Sequence, residues 1–93
     1  MTPPVNAPQP GLLEFPCRFP IKAMGRSGDD FERTISDIIL RHARLMEDEP
    51  LRLSPSKAGT FVSLTAVIEA ESQQQLDAIY QDLTACALVL MAL

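Results

Sequence analysis

Residues 60–69 are the stretch that most constrains the fold, because their side chains alternate with the period of a β-strand. The apolar members fall on one side at every second position: Val62, Leu64, Ala66 and Ile68. The positions between them are mostly polar, which is typical of a strand with one buried face. Such a strand requires neighbouring strands beside it and helices over its apolar side. We therefore predict that residues 60–69 lie in the middle of a sheet.

The length of the chain allows one domain with a modest core. The chain has 93 residues, and Pro3, Pro4, Pro8 and Pro10 occur in an opening stretch that has little to bury. We predict that residues 1–11 form a flexible proline-rich arm and that residues 12–93 form a single domain. A domain of this size buries the core of two helices on one sheet, which excludes a large enclosed active-site cleft.

The charge balance argues against nonspecific binding of nucleic acids. Eight basic residues are outnumbered by twelve acidic ones, which gives a net charge of -4, and no basic residue follows Lys57. Because neutralising phosphates requires an excess of Lys and Arg on some face, nucleic acid is not the expected partner. The sequence also shows neither the pattern of a signal peptide nor that of a membrane span. We expect a cytoplasmic protein with no membrane contact, in which Cys17 and Cys86 are free thiols.

The remaining segments complete a βαββαβ order. Apolar residues at three- and four-residue spacings indicate two helices, the first from near Asp29 with Ser27 or Gly28 as its cap, the second after a capping box at residues 72–75. The first stripe contains Phe31, Ile35, Ile38, Ile39 and His42, and the second contains Leu76, Ile79, Tyr80 and Leu83. The other predicted strands are at residues 17–24, 51–54 and 88–93.

This order predicts an α+β fold of the ferredoxin-like type, with both helices on one face of a four-stranded antiparallel sheet. Right-handed crossovers give the strand order 4-1-3-2. The first and fourth strands then run antiparallel, so Cys17 and Cys86 lie near opposite ends of the sheet. Their separation of about 20 Å is too large for a disulfide within one chain.

Several short blocks carry a resemblance to a known family. They are Leu-Leu-Glu-Phe-Pro at 12–16, Lys22, Met24-Gly25, Arg41-His42-Ala43, Pro55-Ser56, Gly59 and Ser63. Together they resemble the YbeD-like family of small bacterial proteins of unknown function, over residues 12–93. The resemblance implies a ferredoxin-like fold similar to the ACT regulatory domains that bind amino acids in metabolic enzymes, and it implies a lipoate-related regulatory role. The chain departs from the pattern at Lys57, one position early, and at Leu90, where a basic residue is usual.

No set of residues indicates catalysis, a metal or a cofactor. His42 lies on the apolar stripe without a second His or a Cys at ligand spacing, so we interpret it as a partly buried structural residue. Asp29 and Asp30 are ordinary partners of a helix start, and residues 47–49 are interpreted as a solvated loop. The serines have no recognisable base, and Cys17 and Arg18 point to opposite faces of their strand. We therefore predict that the protein is not an enzyme.

One candidate ligand site is the turn after the first strand. Its residues are Gly25, Arg26, Ser27 and Gly28. Backbone N–H groups and a glycine at a helix start can hold a carboxylate or a phosphate, which suggests a small anionic metabolite. The resemblance adds that ACT-type domains use the equivalent loop for effectors. The alternative is that the glycines only turn the chain.

A second candidate is the sheet face away from the helices. By alternation this interaction face carries Arg18, Lys22, Met24, Arg52, Phe61, Ser63, Thr65, Val67 and Leu90. A bare face with apolar and basic residues is a candidate contact surface, and the alternative is a solvated face with a few stray hydrophobic residues.

Three functions remain open at this point. The first is a non-enzymatic regulatory or adaptor domain that forms a homo-oligomer, as a dimer, or binds a protein partner, through its open sheet face or an edge strand. The second is RNA binding on the open sheet, as in RNA-recognition domains that share this fold. The third is an enzyme that uses a ligand or metal from outside the chain.

Overall fold

Four strands and two helices make up the computed structural model, which describes residues 13–93. They are β1 (Cys17–Arg26), α1 (Phe31–His42), β2 (Arg52–Pro55), β3 (Phe61–Ala70), α2 (Gln73–Ala85) and β4 (Met91–Ala92). The strands form one sheet in the order β2-β3-β1-β4, with every neighbouring pair antiparallel. The predicted order 4-1-3-2 is this same order read from the other edge. The proline-rich arm predicted for residues 1–11 lies outside the described residues.

The two central strands pair along their whole length. Ten residues of β1 face ten residues of β3, from Cys17 opposite Ala70 to Arg26 opposite Phe61. On both strands every second side chain points to the same apolar side, and the buried members there are Ile21, Ala23, Leu64, Ala66, Ile68 and Ala70. The prediction that residues 60–69 form a central strand is confirmed.

Both helices cover this apolar side. The predicted stripes supply their buried residues: Phe31, Ile35, Ile38 and Ile39 from α1, and Leu76, Ile79 and Leu83 from α2. They join the buried strand residues in one core cluster. Full burial of each large aliphatic side chain is worth about 1.5–3 kcal/mol relative to exposure in water. The core therefore holds α1 and α2 on one face of the sheet.

Gln75 joins the start of α2 to the end of α1. As the capping box predicts, Ser72 Oγ accepts a hydrogen bond of 3.0 Å from the N–H of Gln75. The reciprocal bond is shifted by one residue, since Gln75 Oε1 accepts from the N–H of Glu71 at 2.7 Å. The side-chain amide of Gln75 also donates to the carbonyl oxygen of His42 at 2.9 Å. The side chain of Gln75 thus takes part in the cap of α2 and provides a hydrogen-bond donor for the carbonyl oxygen of the last residue of α1.

β1 is longer than predicted, and α1 begins later. β1 runs to Arg26 because that residue pairs with Phe61, and the N–H of Ser27 donates to the carbonyl oxygen of Thr60 at 2.9 Å. Asp30 is the N-cap of α1 and makes no side-chain capping bond, so the prediction of Ser27 or Gly28 as the cap is wrong. Gly25 and Arg26, which were predicted to lie in a turn, are therefore the last two residues of β1.

Two segments of the chain pair with the edge of β3 that faces away from β1. β2 pairs with residues 62–65 of β3, one residue later along the chain than predicted because Pro55 is included. Leu45 forms an isolated bridge with Ile68, and the N–H of Met46 donates to the carbonyl oxygen of Val67 at 2.9 Å. The loop at residues 47–51 lies between these two segments.

β4 is much shorter than the predicted strand at residues 88–93. Its bonds to β1 include Leu90 N–H to the carbonyl oxygen of Met24 at 2.8 Å, and a reciprocal pair between Lys22 and Leu93 at 3.0 and 2.7 Å. Met91 stands opposite Met24, and Leu90 precedes the strand. Residues 88–93 are all apolar and show no alternation. The sequence therefore shows neither the bounds of β4 nor which of its side chains lie on each face of the sheet.

The cysteines lie as expected. Both are free thiols, with Cys17 opposite Ala70 at the start of β1. Cys86 is the C-cap residue that follows α2, and it lies two residues before Leu88, whose carbonyl oxygen approaches the other end of β1 at Gly25.

Gly25 offers a direct test of this close approach. A Cβ at Gly25 would overlap the carbonyl oxygen of Leu88 and lie 2.5 Å from Cε1 of Phe31, whereas nothing lies within 4 Å of a Cβ at Gly28. We predict that Gly25→Ala lowers the free energy of unfolding by about 3 kcal/mol, because neither the backbone nor the buried ring can move aside cheaply. Urea denaturation followed by circular dichroism measures the effect. The matched control Gly28→Ala should stay within about 0.5 kcal/mol of the parent. Equal stability of the two variants would contradict this packing.

Candidate functional site

The sheet face opposite the helices, which we call the open face, is the main candidate site. Its members are the side chains that alternate with the core residues: Arg18, Pro20, Lys22, Met24 and Arg26 from β1, Arg52 and Ser54 from β2, Phe61, Ser63, Thr65, Val67 and Glu69 from β3, and Met91 from β4. None of these side chains is buried. Lys22, Arg52, Phe61, Ser63 and Thr65 lie on the face where the sequence predicted them.

The pairing register arranges the open face in rows across the strands. One row runs Ser54, Ser63, Met24, Met91, and the next runs Arg52, Thr65, Lys22, Leu93. A third row contains Arg26 and Phe61. Neighbours within a row are about 4.8 Å apart, and successive rows are about 6.7 Å apart along the strands. Met24 therefore lies between two basic residues of its own strand.

Arg18 is neutralised by the loop at residues 47–51. Its guanidinium donates to Glu49 Oε1 at 2.8 Å and to both carboxylate oxygens of Asp48 at 3.3 Å. The hydrogen bond to Glu49, followed by that to Asp48, raises the pKa of Arg18 above its ordinary value. Residues 47–49 form a largely exposed loop, as the sequence predicted, and Asp48 and Glu49 in addition pair with Arg18. Their pairing leaves one fewer free cation on the open face.

Three other basic residues on the open face have no acidic partner among the residues that the structure describes. Lys22, Arg26 and Arg52 form no salt bridge with any residue in the range 13–93. The guanidinium carbon of Arg26 lies 5.8 Å from the centroid of the Phe61 ring, which is a cation–π distance. Sequence reasoning placed Arg26 in the loop and missed it here. The signal was present, because Arg26 continues the period-two series of Lys22 and Met24.

Leu90 occupies a different position from the one expected. The register puts Met91, rather than Leu90, opposite Met24 on the open face. Leu90 lies one residue before β4 and is exposed at the margin of the sheet. Its assignment to an interaction surface stays a prediction, and the surface concerned is the edge of the sheet.

The hollow beside Met24 on the open face is small. A depression of about 200 Å³ lies where the β2–β3 hairpin meets β1, and it is lined by Met24, Ser54, Pro55, Ser56, Phe61, Val62 and Ser63. Pockets that enclose drug-sized ligands have volumes of roughly 300–1,000 Å³. This surface is therefore better suited to contact with a chain segment than to enclosing a small molecule.

The predicted ligand loop is divided by the structure. Gly25 and Arg26 belong to β1, and Gly25 is buried against Leu88 and Phe31. Ser27 and Gly28 line a hollow of about 290 Å³ together with Asp29, Phe31, Glu32, Leu53 and Val62. Two carboxylates at this hollow oppose an anion, although the helix start favours one. The binding of an anionic metabolite at residues 25–28 stays a prediction.

His42 connects the two helices. Its Nε2 lies 2.6 Å from Oδ2 of Asp82, and its carbonyl oxygen accepts from Gln75. The ring is partly buried, which agrees with the structural interpretation. Residues 13–93 contain no group of three His, Cys, Asp or Glu side chains placed to hold a metal ion. Within that range no helix is long and apolar enough to cross a membrane.

Comparison with protein families gives a match over almost the whole chain. The family model described as "Protein of unknown function (DUF493)" matches residues 10–93. A UPF0250 protein of Chromobacterium violaceum is 44% identical over 82 residues, which cover 88% of this chain and 92% of that protein. A UPF0250 protein of Ralstonia nicotianae is 37% identical over 90 residues, covering 97% of this chain and 93% of that protein.

Comparison with solved structures gives the same type of fold. Protein HP0495 from H. pylori superposes with a TM-score of 0.67 at 18% identity, covering 100% of this chain and 97% of that one. The ACT domain from GTP pyrophosphokinase of Chlorobium tepidum superposes with a TM-score of 0.64 at 13% identity, covering 82% of this chain and 84% of that one. At these identities the likeness concerns the fold alone.

Because Arg18 forms ion pairs with Asp48 and Glu49, we predict that its removal changes the mobility of the loop at residues 47–51. In Arg18→Ala, Asp48 and Glu49 lose the guanidinium that holds them against β1, so residues 47–51 should become more mobile. Heteronuclear NOE values of the backbone amides should fall for Asp48 and Glu49 and stay unchanged in α1. Arg41→Ala, on the exposed side of α1, serves as the control and should leave the loop unchanged. An unaltered loop in Arg18→Ala would show that the ion pairs do not hold it.

Proposed function

The chain belongs to the DUF493 (UPF0250) family of proteins of unknown function, and on that premise we propose that it is a non-catalytic regulatory or adaptor domain. It acts through contacts with proteins, and it self-associates through the segment at residues 88–93, which we call the β4 edge. The observation that supports this proposal most strongly is the concentration of exposed apolar side chains at that edge. The lipoate-related role implied by the YbeD-like resemblance would be one form of such regulation.

The β4 edge combines apolar surface with unpaired backbone groups. Its exposed large side chains are Leu88 (41%), Leu90 (61%), Met91 (51%) and Leu93 (62%). Because Leu93 and Lys22 exchange both of their backbone hydrogen bonds, the N–H and C=O of Ala92 point away from β1. An edge strand with these properties is a template for another strand. Antiparallel pairing of two β4 edges about a two-fold axis would bury the apolar side chains of both copies.

The charges of the open face favour association through the edge over association through the face. In a face-to-face dimer, the free cations of Lys22, Arg26 and Arg52 would approach the same residues of the second copy. Like charges brought together at an interface cost binding free energy. Of the two surfaces that the sequence left open for self-association, the β4 edge is therefore the one we propose.

The non-catalytic part of the proposal has separate support. The imidazole of His42 is engaged by Asp82 between the helices, on the side of the sheet away from the open face. The hydroxyl of Ser63 donates to the carbonyl oxygen of Ser54 at 3.4 Å, so it is engaged by a backbone acceptor instead of a base. The fold likeness to an ACT domain supports a regulatory role by analogy of fold.

Two other proposals remain beside this one. Binding of a small anionic metabolite at residues 25–28 is opposed by the carboxylates of Asp29 and Glu32, and a thermal-shift screen of amino acids, lipoate-like acids and nucleotides tests it. RNA binding on the open face has support from Lys22, Arg26 and Arg52. Phe61 is the one aromatic side chain of that face, whereas domains of this kind stack bases on several.

Because the proposed interface at the β4 edge is apolar, a single charge introduced there should weaken self-association. We predict that the parent protein forms dimers at high micromolar concentration, and that Met91→Asp raises the dissociation constant about tenfold or more, because it places a carboxylate of each copy in the shared apolar interface. Sedimentation equilibrium measures both constants. Leu40→Asp on α1 is the matched control, since Leu40 is 50% exposed and should leave association unchanged. A monomeric parent protein at these concentrations would remove the self-association proposal.

A further inference from the structure

We propose that the open face binds an extended acidic segment of a partner protein. Carboxylates of the segment meet Lys22, Arg26 and Arg52, and an apolar side chain of the segment lies on Met24. The inference rests on the proposed adaptor function, because it specifies the chemistry of the partner. The β4 edge shares Met91 with the open face, whereas Lys22 and Arg52 lie on other strands, so different variants test the two proposals.

Charge is separated between the two sides of the sheet. The open face carries four of the eight basic residues, namely Arg18, Lys22, Arg26 and Arg52. The helices and the turns that enter them carry seven of the twelve acidic residues: Asp29, Asp30, Glu32, Asp37, Glu71, Asp77 and Asp82. An acidic segment is repelled from the helical side and attracted to the sheet. Such complementarity gives both orientation and a faster encounter.

The three free cations lie on the same part of the open face. Glu69 is the one acidic side chain among the open-face residues of the strands, and it stands opposite Arg18 at the far end of β1. That end also contains Asp48 and Glu49, which already pair with Arg18. Lys22, Arg26 and Arg52 surround the other part of the face. An anion placed there meets attraction from three sides.

The spacing of side chains on β1 matches that of an extended peptide. Lys22, Met24 and Arg26 alternate along one side of β1, so the Cα atoms of the two basic residues are about 13 Å apart. An extended peptide with acidic residues four positions apart, and a leucine midway, presents the same period in its side chains. Arg52 lies two strands from Lys22 in the same row, about 10 Å away. It adds positive charge beside one end of such a peptide.

The same features distinguish this partner from nucleic acid. Binding of single-stranded RNA relies on bases stacked on aromatic rings, and the open face has Phe61 alone, with the Arg26 guanidinium carbon already 5.8 Å from its ring centroid. A long polyanion would also run into Glu69, Asp48 and Glu49 at the far end of the face. A short acidic segment avoids that end and still reaches Met24.

The test uses a synthetic peptide with the matched period. The probe is Ser-Glu-Ser-Leu-Ser-Glu-Ser with blocked ends, titrated into the full chain at low salt and followed by methionine methyl and backbone amide NMR. We expect shifts of the Met24 methyl group and of the amides of residues 22–26, and weaker binding as salt is added. The control peptide, in which both glutamates are replaced by glutamines, should bind about tenfold more weakly or not at all.

Charge reversal in the protein completes the test. Lys22→Glu and Arg52→Glu should each weaken binding of the glutamate peptide about tenfold, whereas Arg41→Glu on α1 should leave it unchanged. Equal binding of the two peptides, or no effect of Lys22→Glu, would overturn the inference. A poly-uridine oligonucleotide that binds more tightly than the peptide, and is lost in the same variants, would overturn it in favour of nucleic acid.

The failure of this inference is distinguishable from failure of the proposed function. Arg52→Glu lies on β2, at the opposite edge of the sheet from β4, so it should leave the sedimentation behaviour of the parent protein unchanged. If the peptide does not bind but self-association persists and is disrupted by Met91→Asp, the inference alone is wrong. If the peptide binds and the protein is monomeric, the inference stands and self-association is wrong.

Discussion

The pairing of β1 with β3 is the constraint on which the rest of the structure depends. Ten residues of each strand are in register, and on both strands the apolar side chains fall on one side. A slip of one residue would move the whole apolar set of a strand to the other side of the sheet. Burial of that set therefore fixes the register. The register in turn decides that both helices pack on one face and that the basic residues are left together on the other.

Two close contacts extend this arrangement to its margins. At one end of β1, Gly25 lies against the carbonyl oxygen of Leu88 and the ring of Phe31, which brings the segment before β4 to the sheet. In the helical layer, Gln75 and Asp82 of α2 bind the backbone and the ring of His42. The first contact positions the β4 edge, and the second keeps the helices together on the covered side. The surfaces proposed for binding are thus set by packing elsewhere in the molecule.

Much of the fold could be predicted from local patterns. The alternation in residues 60–69 and the stripes of α1 and α2 each have one period, and the buried side chains follow them closely. The apolar run at residues 88–93 has no alternation, so the bounds of β4 depend on contacts with β1 that a local pattern does not contain. Gly25 suggested a turn, but its role is to allow a close approach by distant residues. β3 was predictable because a strand in the middle of a sheet has one buried face, and the alternation of apolar residues in β3 shows that face directly.

The candidate site was predictable only in part. Lys22, Arg52, Phe61, Ser63 and Thr65 lie on the face that alternation assigned to them. The sequence could not show that Arg18 is neutralised, because its partners Asp48 and Glu49 are 30 and 31 positions away. This long-range pairing moves the free positive charge to the other end of the face. The distinction matters for function, because it favours a short acidic partner over a long polyanion.

The central claim is that the protein self-associates through the β4 edge, which the helices leave uncovered. The most direct measurement records backbone amide chemical shifts of the protein over a series of concentrations from micromolar to millimolar. The account predicts concentration-dependent shifts in residues 88–93 and in the part of β1 that pairs with them, and constant shifts in α1 and α2. Concentration-dependent shifts centred on the exposed sides of the helices, or none in any part of the chain, would contradict it.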